Sequence, residues 1–483
     1  MKKAAIPLWW RPAFSFFSLP FSSQKHTTQD LLYLVPLTLF FLFFKLGYGS
    51  LASWDEAIYA SVAKGILQSG DWLTLRLNGD LWLEKPPLAI WATAFFYKMM
   101  GVSEFSARFF SALCAAGCVL ATYWVGRHLL DRWAGLLGAL VLLSSSDFLI
   151  YSRFGMLDAP FLLFLLLTLG FFWLGQNRNR YLIYSGMTLG LAFLTKGFAA
   201  FLVFPVIWAY CLFANKMEVL GRSSYWIGVM LGAVIALPWH LTQLLMHHTS
   251  VTSDAFSWKF MMTPFQALDA PSDLWYFYIR VLVNKFHPWI LVAILTAPWL
   301  LFKAAKDREE ETLFLATWLF GIFGLLTLFY LKRSWYVMPV YPALSLSVGY
   351  ALSRIFRERS VLFVRAMFLV IMALHIPYSH IFNQDYSRDI KALSADARAK
   401  IPPKEILVIY NYHESAAVSF YLERDSVYAD TAEALAEKFN AGYSYALIRR
   451  VDAESPLVAA TLSRGRFYLL AEVEGLRLFT KKT

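Results

Sequence analysis

Charged side chains are grouped at several places in an otherwise apolar chain. The first is Asp55-Glu56, in the run SWDEAIYA, and the second is Glu84-Lys85, followed by two prolines. A carboxylate can accept a proton from an attacking hydroxyl, whereas an ammonium group stabilises the charge that develops on a departing phosphate. These residue types together predict transfer of a group from a phosphate-bearing donor.

Three further groups carry charged side chains, one of both signs and two of basic residues only. Arg153 and Asp158 are five residues apart in YSRFGMLDAP, Lys196 precedes a glycine, and Lys332-Arg333 stand shortly before Tyr336. Simpler roles stay open for each group, since Asp158 could cap the following helix and the basic residues could bind anionic head groups. Ionisable residues at a membrane boundary are nevertheless functional candidates by default.

The pairs nearest the N-terminus also have alternative explanations. Asp55 could be an interfacial cap, and Lys85 could be a snorkelling lysine paired with Glu84. Pro86-Pro87 suit the first turn of a helix, and the short apolar run 86–97 predicts one that lies at the interface or re-enters the membrane. The N-terminus of that helix, beside Lys85, would suit a phosphate.

Composition indicates which kind of element must hold these groups. The chain has 483 residues, of which 58% are hydrophobic and 16% charged, whereas soluble domains average about 25% charged residues. Its mean hydropathy is +0.49. A single large soluble domain and a disordered chain are both excluded. Residues 385–483 contain 14 basic and 14 acidic residues, so the net charge of +11 lies wholly in the apolar part. That distribution is typical of membrane topology rather than of nucleic-acid binding.

Eleven runs without Asp, Glu, Lys or Arg predict membrane spans, because a span needs about 20 mostly apolar residues. They fall at 31–44, 109–126, 133–146, 159–177, 181–195, 197–215, 223–253, 288–302, 312–331, 334–353 and 366–384. With a cytoplasmic N-terminus, the inside segments carry 17 basic residues in 70 positions, which favours this orientation. The long segments 49–108 and 240–287 and the C-terminal tail then lie outside.

Three regions follow from this pattern. Residues 1–30 predict a cytoplasmic arm, with a short amphipathic helix around Trp9–Phe21, and residues 31–384 predict the membrane region. Residues 385–483 predict a small α/β domain outside. Its expected strands are 406–410, 445–448, 467–470 and 476–479, and its expected helices are 414–422 and 432–439.

Several motifs resemble those of bacterial GT-C glycosyltransferases, in particular the lipid A aminoarabinose transferase and protein O-mannosyltransferase families. They appear in family order over about residues 50–350. The motifs are WDE at 54–56, SGDW at 69–72, LNG at 77–79, EKPPL at 84–88, GVSEFSAR at 101–108, LDAP at 157–160, GLAFLTKG at 190–197, LPW at 237–239 and YVMPVYPAL at 336–344.

The resemblance implies a membrane fold of about eleven to thirteen helices, with interfacial helices in the first outer loop. It implies an inverting enzyme that takes sugar from a polyprenyl phosphate on the outer face of the bacterial plasma membrane. Asp55 would be the catalytic carboxylate, grouped with Glu56 and Asp158. Lys85, Lys332 and Arg333 would hold the donor phosphate. Glu84, Arg153, Lys196 and Tyr336 would line the substrate pocket.

The acceptor stays open between lipid A, another glycan and a protein. The family's outer loop after Pro-Trp carries a His and an Arg, but residues 259–265 read KFMMTPF, so a metal site built from that His and Glu84 is not predicted. A divalent metal stays an open alternative, and no other cofactor is expected. The rival class is a transporter or flippase for lipid-linked sugars, which predicts internal repeats and broken helices near the midplane.

Overall fold

The computed structural model describes residues 21–52, 54–247, 275–329, 332–356, 366–367, 382–412 and 415–481. The larger, N-terminal part is almost entirely helical, and the C-terminal part contains a sheet. The helices of the larger part are α1 (Phe21–Phe43), α2 (Asp55–Ser69), α3 (Leu88–Met100), α4 (Glu104–Leu129), α5 (Arg132–Ser144), α6 (Ser146–Ser152), α7 (Asp158–Gly175), α8 (Arg180–Lys196), α9 (Val203–Phe213), α10 (Ser223–Met246), α11 (Phe277–Lys285), α12 (Ile290–Asp307), α13 (Glu310–Leu328) and α14 (Tyr341–Ile355). This confirms the predicted all-α membrane region with a small α/β domain.

Five helical segments in the described ranges are long and apolar enough to cross a membrane, and the bent pair α5–α6 would make a sixth. The five are Glu104–Leu129, Asp158–Gly175, Arg180–Phe213, Ser223–Met246 and Glu310–Leu328. The runs predicted at 31–44, 288–302 and 334–353 also contain helices (α1, α12 and α14), which fall short of those limits of length or composition. Most of the run 366–384 lies outside the described residues.

Helices α7, α8 and α9 run up and down the bundle. Lys196 at the end of α8 contacts Asp158 at the start of α7, so these two helices are antiparallel. The hydroxyl of Tyr210, near the end of α9, is 2.9 Å from Oε1 of Gln176, just past α7, so α9 runs back beside α7. The chain reverses through the 3₁₀ turn Gly197–Leu202, which begins at a positive φ of 61° that glycine adopts readily. The segment Arg180–Phe213, counted above as one apolar stretch, therefore contains two separate helices, α8 and α9, in the runs predicted at 181–195 and 197–215.

Glycines let α8 and α10 approach backbone to backbone. A Cβ placed on Gly186 would lie 2.0 Å from the carbonyl carbon of Gly228, and one on Gly190 would lie 2.3 Å from the carbonyl oxygen of Gly232. Small residues four apart are the usual means of close helix packing in membranes. This contact fixes the helix that ends at Lys196.

The first outer loop contains α2, a two-stranded hairpin and α3. The hairpin pairs β1 (Arg76–Leu77) with β2 (Asp80–Leu81) across Asn78 and Gly79, both at positive φ, as a tight two-residue turn requires. The expected short helix is present as α3, but it begins at Leu88, so the two prolines precede it instead of forming its first turn. Lys85 therefore stands in the loop just before α3.

The C-terminal domain contains a five-stranded sheet. Its strands are β3 (Leu407–Tyr410), β4 (Ser426–Ala429), β5 (Tyr445–Arg449), β6 (Phe467–Val473) and β7 (Leu476–Lys481), in the order β4-β3-β5-β7-β6. Its helices are α15 (Arg388–Lys400), α16 (Ser415–Leu422), α17 (Ala432–Asn440), α18 (Arg450–Ala453) and α19 (Pro456–Arg464). All four predicted strands and both predicted helices are present. The sequence interpretation missed β4, α15, α18 and α19.

The N-terminal boundary differs from the expected one. Helix α1 begins at Phe21 and continues through the first apolar run, so residues 21–30 are helical instead of part of a separate arm. Asp30 is a residue of this helix. Its side chain forms an ion pair with Arg132, in which Oδ1 lies 2.7 Å from Nη2. The amphipathic helix predicted around Trp9–Phe21 lies almost wholly outside the described residues.

Candidate active site

A buried ion pair joins two of the predicted site residues. Nζ of Lys196 is 2.5 Å from Oδ1 of Asp158, and their side chains are 15% and 5% exposed. Asp158 is the first residue of α7 and Lys196 the last of α8, which are the helix ends that favour an anion and a cation respectively. The N-cap position of α7 is occupied by Leu157, and Asp158 is already the first helical residue. The simple capping role left open for it is therefore not what the structure shows.

Aromatic rings enclose the Lys196 ammonium group. Its Nζ lies 5.0 Å from the ring centre of Tyr336 and 5.7 Å from that of Phe161. Cations over aromatic faces are attracted by the ring quadrupole, more strongly where water is excluded. Tyr336, predicted to line the pocket, therefore lies in direct contact with the ion pair.

Asp55 is the first residue of α2 and faces the same group. Its carboxylate interacts electrostatically with Asp158, Glu84, Lys85 and Lys196. Burial, followed by the like charge of Asp158, raises the pKa of Asp55, while the two lysines oppose that rise. A carboxylate with a raised pKa is better suited to accept a proton near neutral pH.

Lys85 completes the cluster on the side of the first outer loop. Its ammonium group interacts with Lys196 and with the acids Asp55, Glu84 and Asp158. Burial, and then the like charge of Lys196, lowers the pKa of Lys85. Two lysines thus flank two carboxylates that the sequence separates by about a hundred residues. We call Asp55, Lys85, Asp158 and Lys196 the central cluster.

Tyr59 is a neighbour of the central cluster that the sequence interpretation missed. It is 5% exposed and interacts electrostatically with Asp55, Asp158, Glu84 and Tyr336. Its position four residues after Asp55 places both side chains on one face of α2. That spacing is the signal from which Tyr59 could have been found.

Glu56 does not join the cluster, although it directly follows Asp55. It is fully buried, and Oε1 is 2.7 Å from Nε of Arg108. It also accepts the backbone N–H groups of Ala52 at 2.7 Å and Gly155 at 2.9 Å. These contacts make it a structural residue, in place of the catalytic one expected. Arg108, the last residue of the motif GVSEFSAR, is its missed partner.

Arg153 is likewise held elsewhere. Its guanidinium donates to the carbonyl oxygens of Phe41, Leu42 and Phe44 at 2.9, 3.0 and 2.7 Å. Carbonyl groups at the C-terminal end of a helix lack partners within the helix. Arg153 therefore caps α1, and its contacts do not place it in a substrate pocket.

The remaining predicted residues lie at the margin of the cluster. Glu84 is exposed and contributes charge near Asp55. Arg333 is exposed and interacts with Tyr336, and Lys332 is half-buried beside it. A separate group lies beyond Trp335, where Asp147 is 2.6 Å from the Tyr341 hydroxyl and 3.4 Å from Nζ of Lys285.

A metal site is not evident within the described ranges. In those parts of the chain no three His, Cys, Asp or Glu side chains lie close enough together to hold an ion. Residues 259–265, where the resembled families carry a His, lie outside them.

Comparison with solved structures shows which fold carries this cluster. The crystal structure of ArnT from Cupriavidus metallidurans bound to undecaprenyl phosphate superposes with a TM-score of 0.78 at 19% identity, covering 94% of this chain and 98% of that one. An Archaeoglobus fulgidus oligosaccharyltransferase gives a TM-score of 0.66 at 14% identity, covering 91% and 71%. The chain therefore has the fold of these membrane glycosyltransferases, which confirms the GT-C fold class.

Sequence comparison identifies relatives with more specific descriptions. Residues 84–241 match the family model of dolichyl-phosphate-mannose-protein mannosyltransferases. The chain is 31% identical over 336 residues to an undecaprenyl phosphate-alpha-4-amino-4-deoxy-L-arabinose arabinosyl transferase of Pseudomonas aeruginosa, covering 65% of this chain and 58% of the relative. It is 30% identical over 322 residues to an uncharacterized protein of Aquifex aeolicus, covering 65% and 62%. The matches thus span about three fifths of these relatives and confirm the resemblance that the motifs indicated.

Proposed function

We propose that the chain is a membrane glycosyltransferase that moves a sugar from a polyprenyl phosphate to an acceptor hydroxyl or phosphate of the cell envelope. The observation that carries the proposal is the central cluster, where two carboxylates and two lysines meet in a buried setting at one end of α7 and α8. The relatives support the choice of donor, since their names specify undecaprenyl and dolichyl phosphate sugars.

Each member of the cluster has a role in this reaction. Asp55 orients the acceptor and, where the acceptor is a hydroxyl, takes its proton. The acceptor oxygen then forms the new bond to the anomeric carbon as the bond from that carbon to the phosphate oxygen breaks. The phosphate leaves with the electron pair, and attack from the opposite face inverts the anomeric centre. Lys85 stabilises the departing phosphate, as preorganised cations do for developing charge.

Asp158 and Lys196 form the part of the central cluster that α7 and α8 supply. Because Lys196 is already paired with Asp158, we assign it to holding that carboxylate and not to the phosphate. The pair and the adjacent Tyr336 ring would contact the sugar. We assign Lys332 and Arg333, near Tyr336, to the outer contacts with the lipid phosphate.

The site is proposed to face the outside of the bacterial plasma membrane. The support is the excess of Lys and Arg in the segments at the other ends of the helices. Acceptor candidates are lipid A, another glycan or a protein. A transporter of lipid-linked sugars is the competing function, and the same experiment separates the two.

The test is sugar transfer in proteoliposomes that contain the purified chain and an envelope extract as acceptor source. Radiolabelled polyprenyl-phosphate mannose and aminoarabinose are compared as donors. We expect turnover of one donor. The transfer rate should fall by at least about 100-fold in Asp55→Asn, because the general base is removed. The matched control is Asp80→Asn, an exposed acid of the same outer loop.

One result of the same experiment would contradict the proposal. If correctly folded wild-type protein moves the labelled lipid across the bilayer without releasing its sugar, the transporter function replaces the transferase. Turnover retained by Asp55→Asn removes Asp55 from the role of base while leaving the enzyme class intact.

A further inference from the structure

The three residues Ser50–Ala52 lie between α1 and the helix that begins at Asp55, and all of their backbone N–H and carbonyl groups have hydrogen-bond partners. The N–H groups of Ser50 and Leu51 and both of their carbonyl oxygens have hydrogen-bond partners. The N–H of Ala52 donates to Glu56, and its carbonyl accepts from the N–H of Ala57. A non-helical segment with so complete a set of partners is rigid, since each bond must break before the segment moves.

Most of the partners of Ser50 and Leu51 come from the distant C-terminal part of the chain. Oδ1 of Asp385 accepts from the Ser50 N–H at 2.8 Å and from the Ser50 hydroxyl at 2.6 Å. The N–H of Ser387 donates to that same hydroxyl at 2.6 Å, and its own hydroxyl donates to the Leu51 carbonyl at 2.9 Å. More than 330 residues of sequence separate these groups from their partners.

Tyr421, on α16 of the C-terminal domain, binds the backbone of Leu51. Its hydroxyl accepts the Leu51 N–H at 2.8 Å and donates to Oε1 of Glu104 at 3.1 Å. Both the donor and the acceptor capacity of this hydroxyl are used, and its side chain is buried. Lys391 of α15 holds the same Glu104 carboxylate at 2.6 Å.

The C-terminal domain also forms hydrogen bonds with α2 itself. The hydroxyl of Ser61 donates to the carbonyl of Ala416 at 3.1 Å. Nζ of Lys64 reaches the carbonyl of Phe420 at 3.0 Å and Oε1 of Glu423 at 2.7 Å. Helix α2 is thus fixed along its length by α16, and at its start by the bonded segment.

We infer that the C-terminal domain positions Asp55, and that Asp385 and Tyr421 are its positioning residues. The inference rests on the proposed function, in which Asp55 is the base. These two side chains bind the backbone five and four residues before Asp55. Displacing a catalytic base by about 1 Å can lower the reaction rate by up to about 100-fold. The domain therefore acts on the rate of the chemical step.

The test uses full-length Tyr421→Phe and Asp385→Ala, with Asp385→Asn as the conservative variant. Phenylalanine keeps the ring packing but leaves the Leu51 N–H without its acceptor, whereas asparagine keeps an acceptor oxygen for Ser50. The matched control is Tyr445→Phe, which removes a tyrosine hydroxyl from β5 of the same domain. Donor KM, acceptor KM and kcat are measured, together with hydrogen exchange of the amides of residues 50–52.

We expect Tyr421→Phe and Asp385→Ala to lower kcat by about 10-fold or more. Both KM values should stay within about twofold of wild type, and the amides of residues 50–52 should exchange faster. Asp385→Asn should retain most of kcat, and Tyr445→Phe should match the wild type.

Two outcomes overturn the inference while the proposed function stands. One is an unchanged kcat in both variants despite faster exchange at residues 50–52. The other is a rise in acceptor KM at constant kcat, which would make the domain an acceptor-binding module. If Tyr421→Phe does not fold, the comparison of Asp385→Ala with Asp385→Asn decides. A wild-type chain that turns over no donor removes the proposed function itself, and the inference with it.

Discussion

At the scale of single residues, two neighbours in sequence have different surroundings. Asp55 faces Asp158 and two lysines, whereas the adjacent Glu56 is fully buried against Arg108. Successive residues of a helix point about 100° apart, so the first turn of α2 can direct one carboxylate to each environment. An unpaired charge in the position of Glu56 would be costly, and Arg108 offsets that cost.

The pH dependence of transfer should report the neighbours of Asp55. Because burial and Asp158 raise its pKa, activity should be full above that raised pKa and fall as the pH drops through it. Asp158→Asn removes a like charge, so the acid limb of kcat/KM should move to lower pH. Lys85→Met removes a charge that lowers the pKa, so the limb should move to higher pH. Profiles with identical midpoints in all three proteins would contradict this assignment.

At the scale of elements, helix ends place the charged groups. The central cluster takes Asp55 and Asp158 from the starts of α2 and α7, and Lys196 from the end of α8. Carboxylates at helix N-termini and a lysine at a C-terminus agree with the helix dipoles. The arrangement depends on α7 and α8 keeping their antiparallel register, which the contact of α8 with α10 supports.

The contact between α8 and α10 should therefore be sensitive to side-chain size. In Gly186→Ala the added carbon meets the backbone of Gly228 at 2.0 Å, so the helices must separate. Overpacking of this kind costs about 1–3 kcal/mol, and we expect a lower Tm in detergent together with reduced transfer. Gly324→Ala on α13 is the control, because nothing lies within 4 Å of its added carbon. Equal Tm values for the two variants would show that the helices have room to adjust.

At the scale of the whole molecule, the C-terminal domain and the first outer loop form one body over the central cluster. The hydrogen bonds of Ser50, Leu51, Ser61 and Lys64 cross between them. The active site and the C-terminal domain must therefore lie on the same side of the membrane, whichever side that is.

Sidedness can be measured with single cysteines. The native residues Cys114, Cys118 and Cys211 are buried and should not react with a membrane-impermeant maleimide. In right-side-out vesicles we expect labelling of Asp80→Cys and Lys404→Cys but not of Met217→Cys, because the excess of basic residues assigns Met217 to the inside. Inside-out vesicles should give the reverse pattern. Labelling of Asp80→Cys and Lys404→Cys from opposite sides would contradict the shared body of loop and domain.

The sequence by itself determined the class of this protein. Hydropathy is a local property, so long apolar runs predicted the helical membrane region, and short apolar runs predicted four of the five strands of the tail. The motifs named Asp55, Lys85, Asp158, Lys196 and Tyr336, all of which lie together in the structure. Short β4 was missed because SVYA carries little pattern within four residues.

Only the tertiary structure separated the charged residues that meet in the central cluster from those that are held elsewhere. Glu56 and Arg153 have the residue types and positions of site residues, but their partners Arg108 and the end of α1 come from remote sequence. The same holds for Tyr421 and Asp385, whose bonds to residues 50–51 span more than 330 positions. Burial and pairing are properties of the packed chain, so a linear pattern shows which charged groups are available and the fold decides which of them meet at one site.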